Sequence, residues 1–258
     1  MSGPAAGSAP GPAGPRSGGA TDAARAPPGW HGKLPSLGDF ASRRLPPDFI
    51  SAWDHWLACG LQQLRERDPT GWLDAYLASP SRRFLLLPGV LPGAAGQQAW
   101  AGVLMPSVDR VGRYFPFTIA QPTALPATPE QTQSLWGWLG RLDELAADAL
   151  QDDWSVDQLE AELARMAGPD LAPQAAPPNT ASPNAAQPLP LSPGACVAQA
   201  LAPGLNISQQ IGIDAQALWL RHAQGLAYWY ANADLQAPSL FVSKGLPASA
   251  ADLLGATM

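Results

Sequence analysis

Two apolar runs constrain this chain more than anything else in it. Arg82-Arg-Phe-Leu-Leu-Leu87 stops at Pro88-Gly89, and Ala99-Trp-Ala-Gly-Val-Leu-Met105 stops at Pro106. Both are short, and both are apolar at successive positions, so neither has a polar face to give to water. That is the pattern of a central strand covered on both sides. Such strands need a layer above and a layer below. The expected fold is therefore a single layered α/β sandwich, with a mixed, partly antiparallel sheet and helices on both faces.

The remaining segments supply the layers. Gly29-Trp-His-Gly-Lys-Leu34 reads as a short strand, followed by a loop over Pro35-Ser-Leu-Gly-Asp-Phe40. Residues 47–66 read as a helix, because Phe49, Trp53, Trp56, Leu57, Leu61 and Leu64 share one face at helical spacing. Pro47 suits its first turn. Asp68-Pro69 opens a shorter helix carrying Trp72, Leu73, Tyr76 and Leu77. Phe115-Pro-Phe-Thr-Ile-Ala120 is a third strand, which Pro116 restricts to a sheet edge or a strand start. Thr128, Pro129 and Gln131 spell the start of a long helix over 129–150, and Ser155-x-x-Gln158 the start of another. Further on, Ser192-Pro193 caps a short helix to Leu201. Ala217–Leu220, Leu226–Tyr230 and Leu240–Val242 read as strands, the first two as a hairpin across Gly225. A last short helix begins at Ser249.

Proline and glycine divide the chain into folding and non-folding parts. Six Gly, six Pro and eight Ala fill most of residues 1–28, and seven Pro and six Ala fill most of residues 168–190. Neither stretch has enough apolar surface to offset the entropy of ordering it. We expect a disordered tail over 1–28, then one domain over 29–256 with 168–190 as a disordered surface insertion.

Charge excludes several functions. The net charge is −6. Its excess lies between Arg141 and Arg165, where eight acids face two arginines, mostly on the outer faces of the two helices there. This acidity argues against a nucleic-acid binder. The acidic pair of helices either docks on a basic partner or is a solvated face. No run is long enough to span a membrane, and the N-terminus lacks the apolar core of a secretory signal. Two cysteines, Cys59 and Cys196, cannot make a disulfide framework, so a reducing cytoplasm is the expected compartment.

No catalytic signature stands out, and no catalytic residue, metal or cofactor is assigned. Gly29-x-x-Gly-Lys33 faintly resembles a phosphate loop but has Leu34 where a hydroxyl belongs. His55 and Cys59 are four apart on one helix, opposite its tryptophan stripe, without further metal ligands at recognisable spacing. Two loops hold the densest polar groups. One carries Ser107, Asp109, Arg110 and Arg113, just after a central strand. The other carries Lys33, Asp39, Arg43 and Arg44. Each reads either as a recognition or anion-binding loop, or as an internal Asp–Arg network that fixes a turn.

Longer irregular strings then become recognisable. Gly29-Trp-His-Gly-Lys-Leu-Pro-Ser-Leu-Gly-Asp-Phe-Ala-Ser-Arg-Arg-Leu-Pro46, Trp53-Asp-x-Trp56, Trp72-Leu-Asp-Ala-Tyr-Leu77 and Trp100-Ala-Gly-Val-Leu-Met-Pro-Ser-Val-Asp-Arg-Val-Gly-Arg-Tyr-Phe-Pro116 resemble the type VI secretion-associated TagF family. The resemblance is dense from Gly29 to Thr123 and thinner at Asp152–Ser155, Leu218-Trp219 and Gly245–Pro247. It implies a layered α/β sandwich and a bacterial cytoplasmic accessory protein, not an enzyme. It further implies a post-translational repressor of type VI secretion that binds the system's forkhead-associated scaffold protein. Some relatives carry a fused PppA-type phosphatase, for which this chain has no residues to spare, so a linked phosphatase would be a separate protein. The alternative expectation is an anion- or phosphate-binding protein or enzyme. In that reading Lys33, Asp39, Arg43, Asp109, Arg110 and Arg113 converge on one pocket.

Overall fold

The two apolar runs at 82–87 and 99–105 become the middle of the sheet. In a computed structural model, residues 26–166, 168, 169, 171, 222–231 and 239–255 are described. They form β1 (Gly29–Lys33), β2 (Phe40–Arg43), α1 (Pro47–Arg67), α2 (Trp72–Leu77), β3 (Arg82–Leu86) and β4 (Ala99–Met105). Then follow β5 (Phe117–Thr123), α3 (Pro129–Gln151), α4 (Val156–Arg165), β6 (Leu226–Ala231), β7 (Ser239–Lys244) and α5 (Ala251–Leu254). One seven-stranded sheet has the order β2-β1-β5-β4-β3-β6-β7.

Among the described residues every ladder is antiparallel. The mixed sheet expected from the sequence is therefore corrected. Parallel neighbours need a helical crossover between adjacent strands. Here the strands joined through helices, β2 to β3 and β5 to β6, are not neighbours in the sheet. Pro116 precedes β5, which lies between β1 and β4, so this proline marks a strand start and not an edge. The expected tail over 1–28 and insertion over 168–190 lie almost wholly outside the described residues, as do the expected elements at 192–201 and 217–220. Among the described residues β6 pairs with β3 on one side and β7 on the other.

Strand alternation sorts the core into two clusters. Phe84, Leu86, Trp100 and Leu104 pack with Phe49, Trp53, Trp56, Leu57 and Tyr76 from α1 and α2, with Trp229 of β6 and with α5. Leu85, Ala101, Val103 and Met105 pack instead with Leu135, Trp138, Leu139 and Leu142 of α3 and with Leu159 and Leu163 of α4. The first cluster centres on Trp53, which has no exposed surface. Its ring lies 5.3 Å from Phe49, 5.0 Å from Trp56 and 5.1 Å from Phe84. Its Nε1 donates to Thr118 Oγ1 at 2.9 Å, which satisfies a hydroxyl that is itself fully buried.

Helix ends follow the capping residues read from the sequence. The Gln131 N–H donates to Thr128 Oγ1 at 3.2 Å, and the Gln158 N–H to Ser155 Oγ at 3.2 Å. Gln131 Oε1 reaches back to the Ala127 N–H, one residue before the cap. The second helix starts later than Pro69. Asp68 Oδ1 accepts the N–H groups of Thr70 and Gly71 and holds 69–71 as a turn, so α2 begins at Trp72.

Gly32 is fixed by sterics. Its φ of +128° lies in the region L side chains avoid, and a Cβ there would stand 2.2 Å from the Pro116 carbonyl oxygen. Gly32→Ala should cost at least about 2 kcal/mol, read by urea denaturation, because strain and clash add. An unchanged midpoint would show that the β1–Pro116 approach relaxes freely.

Candidate functional site

The two polar loops meet. β1 ends at Lys33, and the chain turns through 34–39 into β2. β4 ends at Met105, and the chain turns through 106–116 into β5. Because β5 pairs with both β1 and β4, both turns lie at the same end of the sheet. Lys33 Nζ donates to Asp109 Oδ2 at 2.7 Å, and Arg113 Nε donates to the same oxygen at 2.8 Å. The other oxygen, Oδ1, accepts the N–H groups of Val111 at 3.0 Å and Arg113 at 2.9 Å. One buried carboxylate thus joins a strand end, a neighbouring loop and its own turn.

The energetics favour a fixed structure. Lys33 and Asp109 are buried, and a buried charge is tolerated only when paired. Burial opposes ionisation of Asp109. The hydrogen bonds from Lys33, from the backbone and side chain of Arg113 and from the Val111 backbone overcome it and hold the carboxyl well below the usual range. Ser107 is buried beside this group. Its Oγ donates to the Lys33 carbonyl at 2.8 Å, its N–H donates to Tyr76 Oη at 2.8 Å, and the Tyr76 hydroxyl donates back to the Ser107 carbonyl. Burial pushes the Tyr76 phenol up.

The turn itself is closed. Asp109 N–H donates to the Arg113 carbonyl, Gly112 N–H donates to the Asp109 carbonyl, and Val108 pairs with Tyr114. Arg110 N–H donates to the Leu37 carbonyl, and Arg113 Nη2 donates to the Gly38 carbonyl. Asp39 stands 3.9 Å from Arg113 Nη2 and is largely exposed; one of its oxygens caps the Phe40 N–H. Phe40 covers Lys33 Nζ, 4.1 Å from ring centroid to nitrogen, and meets Phe115 edge-on at 4.9 Å.

The other arginines of the first loop lie elsewhere. Arg43 is exposed and donates to the Ser42 carbonyl. Arg44, at φ +60°, leaves β2 in a left-handed conformation and binds the carbonyls of Pro27 and Pro28. It also pairs with Glu160 of α4, which accepts Trp30 Nε1 at 2.6 Å. Burial disfavours the Glu160 charge, but Arg44 and Trp30 hold it below its ordinary range. Asp143 of α3 likewise pairs with Arg83 at 2.9 Å. Two of the eight acids in the charge cluster are therefore tied to the sheet.

Sequence reasoning could not see these links. Lys33 and Asp109 are 76 residues apart, and Arg44 and Glu160 are 116 apart. The faint phosphate-loop string is β1, buried at all five positions, with its lysine spent on Asp109. His55 and Cys59 do share an exposed face, with Nε2 and Sγ 3.8 Å apart. Among the described residues no group of three or more His, Cys, Asp or Glu is placed to hold a metal, and no helix is long and apolar enough to cross a membrane.

The family model for the TagF N-terminal domain, described as type VI secretion system-associated, matches residues 29–166. The chain belongs to the TagF family. The matched span runs from β1 to the end of α4 and contains both polar loops. This TagF-family chain is also similar to PA0076 of Pseudomonas aeruginosa PAO1, a protein of known crystal structure. The two are 30% identical with a TM-score of 0.62, over 90% of this chain and 95% of that one. No curated protein matches the chain. TagF membership links it to type VI secretion-associated proteins.

Proposed function

We propose that this chain is a cytoplasmic regulator of a type VI secretion system, a post-translational repressor that binds the system's forkhead-associated scaffold protein. The observation that carries the reading is the match to the TagF domain across both polar loops. The chemistry of the loops supports a binding protein over an enzyme. Lys33 is buried and Asp109 is engaged by four donors, so neither is poised to meet a substrate. What remains exposed there is Phe40, Val111, the Arg110 and Arg113 guanidinium groups and the Asp39 carboxylate, a mixed surface suited to protein contact.

Deleting the gene in its host should raise type VI secretion, and the purified chain should retain the forkhead-associated scaffold. Unchanged secretion together with no retained scaffold would remove the proposal. Phosphate and nucleotides at millimolar concentration should leave the melting temperature unchanged. A clear rise would instead favour the anion-binding reading of the same loops.

A further inference from the structure

We infer that the tip of the 107–115 turn is a preformed knob that enters an apolar pocket rimmed by carboxylates on a partner protein. The inference deepens the binding reading above and rests on it for the partner's identity.

Two observations carry it. First, the tip is over-determined from behind. Asp109 accepts the N–H groups of Val111 and Arg113, Gly112 N–H is bound to the Asp109 carbonyl, and Arg110 N–H is bound to the Leu37 carbonyl across the gap to the other loop. Every backbone N–H from Arg110 to Arg113 thus has an internal partner. Second, the side chains this scaffold displays have no such use. Val111 is 62% exposed, and Phe40 beside the cluster is 47% exposed. Arg110 is exposed, and its guanidinium has no ion pair or hydrogen bond among the described residues. The internal network therefore fixes the backbone from which Val111 and Arg110 project into water.

The occupant follows from shape and charge. A protruding β-branched side chain needs a concave apolar contact, and a fixed tip loses little entropy on docking. The free Arg110 guanidinium calls for a carboxylate at the pocket rim. Lys33 is not available for that role, because it is buried under Phe40 and held by Asp109. A free anion would find one open guanidinium, an apolar floor and the exposed Asp39 carboxylate beside Arg113, so the surface fits a protein better than a small ligand.

Benzoylphenylalanine placed at Val111 in the full chain, in its host, should cross-link one protein through a peptide richer in Asp and Glu than in Lys and Arg. R110E in the same background should cut the yield at least ten-fold at an unchanged melting temperature. A type VI component as the cross-linked protein upholds both readings. An acidic peptide from an unrelated protein upholds the knob and overturns the type VI reading. No specific cross-link, a basic peptide, or a yield indifferent to R110E overturns the knob, even if a type VI component still co-purifies.

Discussion

Trp53→Ala should lower the unfolding free energy by about 4 kcal/mol, or the melting temperature by on the order of 10 °C. No other single truncation in the first cluster removes as many ring contacts. Trp53 touches Phe49, Trp56, Phe84 and Trp229, which come from its own helix, from β3 and from β6. Truncation leaves a cavity that these rigid rings cannot fill, and it leaves Thr118 Oγ1 without its donor in the middle of the sheet. Trp53→Phe separates the two effects. It keeps most of the apolar volume but not the hydrogen bond, and should cost less than half as much. Urea denaturation followed by circular dichroism reads both variants. A loss below about 1 kcal/mol for the alanine variant would show that the cluster closes over the gap.

Lys33→Met should be the second most damaging change, lowering the melting temperature by on the order of 10 °C. Methionine matches the stem and can stay under Phe40, so volume is not the cause. The cause is Asp109, which keeps its burial and loses one of its two cationic donors. Asp109→Asn should damage the same structure in a different way. Its amide can present an oxygen to the Val111 and Arg113 N–H groups only by turning its NH2 toward Lys33 and Arg113. The acid dependence follows from the lowered pKa of Asp109. In the unfolded chain this carboxyl takes up a proton near pH 4; in the folded chain it does so only at lower pH. Its contribution is therefore complete above about pH 4 and is lost as pH falls through the folded value. Between pH 6 and 2, urea stability of Asp109→Asn should decline less steeply than that of the parent. Parallel curves would mean that the site is not ionised in the fold.

These two sites differ in how far the sequence revealed them. Trp53 was legible because helical periodicity is local: Phe49, Trp53, Trp56 and Leu57 lie within nine residues and all are buried. β3 and β4 were legible for the same reason, since a run apolar on both faces needs no partner to be recognised. The Lys33–Asp109–Arg113 group reads from the sequence as two polar loops, which meet only in the anion-binding alternative, and there in an open pocket and not in a buried ion pair. Asp109 and Arg113 are four apart, so an internal network was readable, but the lysine that completes it comes from another strand. β2 was missed because its four residues face largely outward and carry no alternation: Phe40 and Arg43 are exposed, and Ala41 and Ser42 half-buried. Strand direction is not legible in this way: short runs with short connections fit a mixed sheet as well as the antiparallel one that forms. Neighbour relations are set by long-range pairing, which periodicity does not record.

The sheet order also sets a schedule for synthesis. β1 to β5 leave the ribosome as one block, within the span that matches the TagF domain. In that block β3 is bound on one side only, and its other edge waits for β6, whose pairing joins Phe84 to Trp229. Until then a strand reading Phe84-Leu85-Leu86 has an open edge, and the face under Trp53 lacks the Trp229 ring. Such an edge invites pairing with another nascent chain. A ribosome stalled before Leu226 should therefore hold a sticky, protease-sensitive intermediate, and one released after β7 should not. Lengthening the chain between α4 and β6 would delay closure more than it would weaken the finished fold, because loop-closure entropy grows only with the logarithm of length.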